Sequence, residues 1–265
     1  MVSVAKLRRA QSGAEGMQLF ADRYRSVLAH LLSGHAEHPF LTPRQEVRKV
    51  CYVLFVGNRG LCGTYNQAVV RFLAEHLQGE ERPASVIVVG RWGRDVMETA
   101  GLPVRTTFSD FGDTPAMEDA VAVAEYLKKL YLEEEADEIY LVYQQYHTAL
   151  QQIPAMMRLL PAEPAADPPA GEMEYIYEPS REAVLDSAVQ LYVNCTVFAV
   201  LQEARMGEQA ARMTAMTAAT DATAELIDHL SLDLNRARQA AITTEISEIV
   251  GGANALKNKN DQSSH

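Results

Sequence analysis

Apolar residues recur at helical spacing at both ends of the chain and gather into short continuous runs between them. Over residues 3–33, Met17, Phe20, Tyr24, Val27, Leu28 and Leu31 fall three and four apart, which predicts one amphipathic helix stopped at Gly34. The run 50–56 is apolar throughout, as expected of a strand covered on both faces. Helix 66–78, strand 85–89, helices 92–100 and 117–134, and strand 138–143 follow, and 149–160 reads as a further helical stretch. This alternation predicts an α/β sheet with helical cover. The proline-rich residues 161–171 read as an exposed loop, and 173–178 as a last short strand before Pro179.

Residues 180–251 hold no proline and, in their interior, only Gly207 as a poor helix former, so they predict one continuous helix. At ~1.5 Å per residue, about 70 residues would reach ~105 Å, several times the width of an ordinary domain. Within it, Met213, Thr220, Ile227, Leu234 and Ala241 recur every seven residues, with Met216, Thr223, Leu230, Ala237 and Thr244 three places later. That is a heptad seam. Alanine and threonine hold much of it and bury less apolar area than leucine or isoleucine, which favours a thin rod. Periodicity alone favours an ordinary coiled-coil arm.

A chain of 265 residues, 48% of them hydrophobic, can form one sizeable domain plus an arm. The net charge of −11 and pI near 5.1 argue against nucleic acid as the main partner, although Lys6, Arg8, Arg9, Arg236 and Arg238 form local cationic patches. Cys51, Cys62 and Cys195 lack CxxC spacing, so neither a disulfide framework nor a zinc site is expected and a reducing compartment fits. No uninterrupted apolar run approaches ~20 residues and the first residues lack an apolar signal core, so no direct membrane insertion is expected.

The loop 57–63, Gly-Asn-Arg-Gly-Leu-Cys-Gly, stands between a strand and a helix, where phosphate-binding loops often sit. It lacks both the GxGxxG spacing and the lysine with serine or threonine of a P-loop, so it reads as a tight structural turn. Cys62 has no nearby histidine and reads as a packed, unreactive thiol. His35, Glu37 and His38 give only a weak metal signal and read as surface groups. Glu133, Glu134, Glu135, Asp137 and Glu138 read as a solvated acidic run, and no serine, histidine and acid set emerges. No catalytic residue, metal or cofactor is expected.

Residues 211–221 (ARMTAMTAATD) and 235–252 (NRARQAAITTEISEIVGG) closely resemble the C-terminal signature of the gamma subunit of F-type ATP synthase. Residues 6–11 (KLRRAQ), 59–63 (RGLCG) with Asn66, Pro154 with Leu160 and Pro161, and 175–179 (YIYEP) match in the family's order. At Gly57 and Asn58 the chain departs from the family, which generally has serine or threonine and aspartate there.

The resemblance implies a Rossmann-like α/β foot over 49–179, and an antiparallel coiled coil of an N-terminal helix (1–48 with its connection) and a C-terminal helix (180–256). Residues 257–265 are then a disordered tail. It implies a central rotor stalk that couples ion flow through a membrane c-ring to conformational change at nucleotide sites on alpha and beta subunits, with epsilon beside the foot, while the stalk itself catalyses nothing. It would act at the cytoplasmic face of the bacterial plasma membrane, as a peripheral part of the complex. By the same resemblance Arg238, Gln239 and Thr243 meet a beta subunit, and Tyr175, Tyr177 and Glu178 meet the c-ring. The family carries further residues ahead of the segment that aligns with Met1, so Met1 is expected to be an internal methionine. Two other readings remain open on sequence: a shortened gamma-like scaffold outside a working synthase, and a Rossmann-like nucleotide-dependent enzyme with a dimerising arm.

Overall fold

The computed structural model describes residues 7–8, 38–93, 103–109, 111–112, 114–163 and 177–262. The chain divides into two units, Met1–Met216 and Thr217–His265. The first holds, in order, β1 (Val50–Phe55), α1 (Tyr65–Gln78), β2 (Ala84–Val89), β3 (Val104–Phe108), α2 (Met117–Leu132), β4 (Glu138–Thr148) and β5 (Gln151–Leu160); a last helix, α3, spans Arg181–Gln262. The sheet order is β3-β2-β1-β4-β5. β1 runs parallel to β2 and β4, β2 parallel to β3, and β5 antiparallel to β4.

All six residues of β1 are buried because both faces of the sheet are covered. Cys51, Val53 and Phe55 pack with Val123 and Leu127 of α2 and with Leu185, Val189, Val193, Val197 and Leu201 of α3. Val50, Tyr52 and Leu54 pack instead with Val69, Val70 and Leu73 of α1. One stretch of α3 is long and apolar enough to cross a membrane by length and composition, with a mean hydropathy of 1.6, although scattered polar residues interrupt its apolar runs. Leu185, Val189, Val193, Val197 and Leu201 at the start of α3 are buried against β1 and α2, which accounts for part of that apolarity within the fold. Near the chain start, Leu7 and Arg8 are helical, and Leu7 packs on Met206 and Ala210 of α3. The rest of the expected N-terminal helix, and with it the antiparallel coiled coil, lies outside the described residues.

Four expectations change. Residues 149–160 are not helical: a turn at Ala149 and Leu150 leads into β5. Pro154 explains this, since it has no N–H for a helix interior but fits the edge strand, where it stands opposite Gln144. β3, with Val104, Thr106 and Thr107, adds an edge strand that no apolar run announced; its β-branched side chains suit the sheet. Tyr177 and Glu178 belong to no strand, and 173–176 lie outside the described residues. Finally, α3 continues through Gln262, beyond the point where a disordered tail was expected. No proline or glycine after Gly252 stops it, and Ala255, Leu256 and Lys257 are good helix formers.

In the second unit α3 is exposed over 217–253. The seam residues Ile227, Leu230 and Leu234 are 57%, 58% and 70% exposed, so the stripe is uncovered at these three positions among the described residues.

Candidate functional site

The loop after β1 spends its polar groups on itself and its neighbours. The Gly57 N–H donates to Asn66 Oδ1 at 2.8 Å, the Arg91 N–H donates to Asn58 Oδ1 at 3.1 Å, and Asn58 Nδ2 donates to the Phe111 carbonyl at 3.2 Å. Leu61 and Gly63 take left-handed φ values of 61° and 58° to close the turn. Cys62 is buried, its sulfur 3.8 Å from the Arg59 carbonyl, and burial pushes its thiol pKa up. The loop is a structural turn, two of whose donors, the Gly57 N–H and Asn58 Nδ2, are engaged within the fold.

Against this loop lies a charged cluster on α3. Glu208 is buried and accepts from Arg205 Nη1 at 2.7 Å and from Arg212 Nη2 at 2.6 Å. Arg212 Nη2 also reaches the carbonyls of Arg59 and Gly60 at 3.3 and 3.4 Å. Arg205 Nε and Nη2 are buried without a partner among the described residues, and the cluster holds two cations around one carboxylate. Gly207 permits the close approach of α1: a Cβ there would stand 3.0 Å from the Tyr65 ring. The Tyr65 hydroxyl donates to the Ala204 carbonyl at 2.6 Å, and the Tyr65 carbonyl accepts from Gln144 Nε2 at 2.9 Å.

Further contacts surround the same stretch of helix. Gln202 Nε2 donates to the Pro115 carbonyl at 3.1 Å. The Tyr146 N–H donates to Glu203 Oε1 at 2.9 Å, and burial raises the Glu203 pKa. Thr214 Oγ1 is 3.3 Å from the Ala149 carbonyl. Residues 204–210 are consequently buried without a break.

The residues expected to meet a beta subunit, Arg238, Gln239 and Thr243, are all exposed on α3 in the second unit. Thr243 Oγ1 donates to the Gln239 carbonyl one turn earlier at 2.8 Å, and Arg238 forms no ion pair among the described residues. Of the expected c-ring contacts, Tyr175 lies outside the described residues. Tyr177 is half-buried, with the Arg181 guanidinium 5.7 Å from its ring centre, and Glu178 is exposed.

Two other expectations are corrected. His38 is not a surface group but is buried: its Nδ1 accepts the Phe40 N–H at 3.1 Å and its Nε2 is 3.2 Å from Asp186 Oδ1. His35 and Glu37 lie outside the described residues. The acidic run is only partly solvated. Asp137 is buried and accepts the N–H groups of Arg48 and Lys49 at 2.8 and 2.9 Å, and Glu138 pairs with Arg82 at 3.1 Å. Among the described residues no cluster of histidine, cysteine, aspartate or glutamate could hold a metal. Sequence reasoning passed over Arg205, Glu208 and Arg212; their three- and four-residue spacing was the one available signal.

The first unit is a covered α/β sheet and α3 runs on into the second, and chains of solved ATP synthase structures are similar in fold. The fold matches a chain of the Euglena gracilis mitochondrial ATP synthase OSCP/F1/c-ring structure with a TM-score of 0.64 and 20% identity, covering 95% of each chain. It also matches one from the central stalk and c-ring of Tetrahymena thermophila mitochondrial ATP synthase, with a TM-score of 0.59 and 18% identity over 83% of this chain and 100% of that one. A family model described as ATP synthase matches residues 1–256. ATP synthase gamma chains of Desulforamulus reducens and Moorella thermoacetica are each 43% identical, over 97% of this chain and 91% of theirs. The chain belongs to the family of ATP synthase gamma chains. Neither a nucleotide-dependent enzyme nor a separate scaffold is favoured by these relatives.

Proposed function

We propose that the chain is the central rotor stalk of a bacterial rotary ATP synthase. It has no nucleotide site of its own and catalyses nothing by itself. Its α/β domain acts as the foot, resting on a membrane c-ring with epsilon beside it, at the cytoplasmic face of the plasma membrane. Its long helix acts as the shaft within a ring of alpha and beta subunits. The 43% identity to ATP synthase gamma chains along 97% of the chain carries this reading.

The physical requirement is a contact that differs between otherwise identical catalytic subunits, because a conformational shift needs a differential interaction with its two states. A helix that presents Arg238, Gln239 and Thr243 to one beta subunit at a time supplies it, through directional hydrogen bonds that form and break as the shaft turns. Tyr175, Tyr177 and Glu178 are the proposed foot contacts with polar loops of the c-ring. The exposure of Arg238, Gln239, Thr243 and Glu178 is compatible with both roles.

Reconstitution tests the reading. Alpha and beta subunits mixed with this chain should form a stable complex with steady ATPase activity, and the isolated chain should show no micromolar ATP binding by equilibrium dialysis. Tight ATP binding to the pure chain, or failure to join alpha and beta, would contradict it.

A further inference from the structure

We propose that residues 202–214 of α3 form a torsional clamp, the stretch at which the α/β domain holds the helix against rotation about its own axis. The inference rests on the rotor reading above. Successive helical residues are ~100° apart around the axis. Taking Gln202 as zero, Glu203 lies at about 100°, Thr214 at about 120°, Ala204 at about 200°, Glu208 at about 240° and Arg212 at about 280°. Together these directions meet five different parts of the domain, with Glu208 and Arg212 sharing the loop after β1.

Gln202 meets the segment before α2 at Pro115, Glu203 meets β4 at Tyr146, and Thr214 meets the β4–β5 turn at Ala149. Ala204 accepts from Tyr65 of α1, Arg212 donates to the loop carbonyls of Arg59 and Gly60, and Glu208, which holds Arg212, packs beside Gly57 of the same loop. Leu7 covers the remaining side, at Met206 and Ala210. Over 185–201 the helix is held chiefly by an apolar stripe against the sheet and α2, with a polar contact, His38 Nε2 to Asp186 Oδ1 at 3.2 Å, at its start.

The difference matters because apolar contact is non-directional, so a helix in an apolar groove can roll at small cost. Hydrogen bonds weaken steeply with angle, and anchors spread around the circumference oppose rolling in either sense. The Glu208 carboxylate bonds two guanidinium groups of its own helix and so holds Arg212 in place against the Arg59 and Gly60 carbonyls, and it lies where the absence of a side chain at Gly57 leaves room. Arg212, Glu208 and Tyr65 are therefore positioning residues: they touch no nucleotide, and they set how stiffly torque passes between the domain and the helix.

The test uses the complete complex, immobilised through its alpha and beta ring, with a gold rod attached at an R71C substitution on the exposed face of α1. With catalysis arrested, the angular variance of the rod measures torsional stiffness. The double variant Y65F/R212M removes two anchors while keeping apolar bulk, and it should widen the variance about twofold if anchors contribute additively. Y65F alone, which loses only the bond to Ala204, should widen it less and serves if the double variant fails to assemble. The control E225Q, exposed on α3 and off the heptad seam, should leave it unchanged. An unchanged variance in assembled Y65F/R212M, with ATP still turning the rod in the unsubstituted complex, overturns the clamp alone. A rod that never turns overturns the rotor reading and the clamp together.

Discussion

A Cβ on Gly57 would stand 2.8 Å from both the carboxyl carbon and Oε1 of Glu208, so the loop after β1 and helix α3 are fitted to each other at these two residues. The carboxylate cannot simply swing away, because Arg205 and Arg212 both hold it. Gly57→Ala should force the loss of at least one charged hydrogen bond and destabilise the chain by about 1–2 kcal/mol. Denaturant unfolding checks this. In a double-mutant cycle, Glu208→Ala should absorb much of the penalty, and strict additivity of the two substitutions would contradict the fit.

That relationship shows where sequence reading stops. β1, α1, β2, α2 and the start of β4 were legible because their apolar runs and periods are strong, and α3 was legible from the absence of helix breakers. Residues 149–160 misled because their apolar spacing suits a helix; the deciding fact was Pro154 at a sheet edge, which only the pairing with β4 reveals. The Arg205, Glu208 and Arg212 cluster looked like an ordinary charged helix face. Its burial depends on the loop that folds against it, a contact between residues some 150 positions apart. Arg238, Gln239 and Thr243 came from resemblance, and their exposure gives no physical signal of their own.

The second prediction concerns acid. Glu80 accepts from Arg82 and from the Tyr52 hydroxyl at 2.7 Å each, and the Arg82 bonds first of all pull its pKa from 4.5 down to about 2. A lowered carboxylate pKa stabilises the fold fully above the unfolded value, and that contribution is lost as pH falls through the folded value. Glu80→Gln should therefore cost about 1–2 kcal/mol at neutral pH, allowing for solvent screening of the pair. The difference from the unsubstituted chain should shrink as pH drops from 4.5 towards about 2, followed by urea unfolding. A difference that stays constant over that interval would contradict the assignment.

Thiol chemistry gives a third. Cys51, Cys62 and Cys195 are all buried, and burial raises the Cys51 pKa to about 11. A thiol-labelling reagent at neutral pH should modify none of the three quickly in the native chain and all three on unfolding. Rapid labelling of Cys62 under native conditions would show that the loop opens far more readily than its hydrogen bonds allow.

A fourth addresses the shaft. Arg238→Ala with Gln239→Ala should lower coupled ATP synthesis while leaving assembly intact, because the two side chains are exposed and support no packing in the second unit. Removing a charge-assisted hydrogen bond from a strained intermediate of the cycle would cost about 1.5–3 kcal/mol, or roughly tenfold or more in rate. Synthesis driven by an imposed ion gradient in membrane vesicles measures this. An undiminished rate in fully assembled complexes would remove both residues from the proposed beta contact.

The most direct test of the central claim is rotation itself. With the alpha and beta ring fixed to a surface and a rod on the α/β domain, added ATP should turn the rod continuously in one direction, and withdrawal of ATP should stop it. Sustained ATP hydrolysis by the same complexes with the rod stationary would contradict the account.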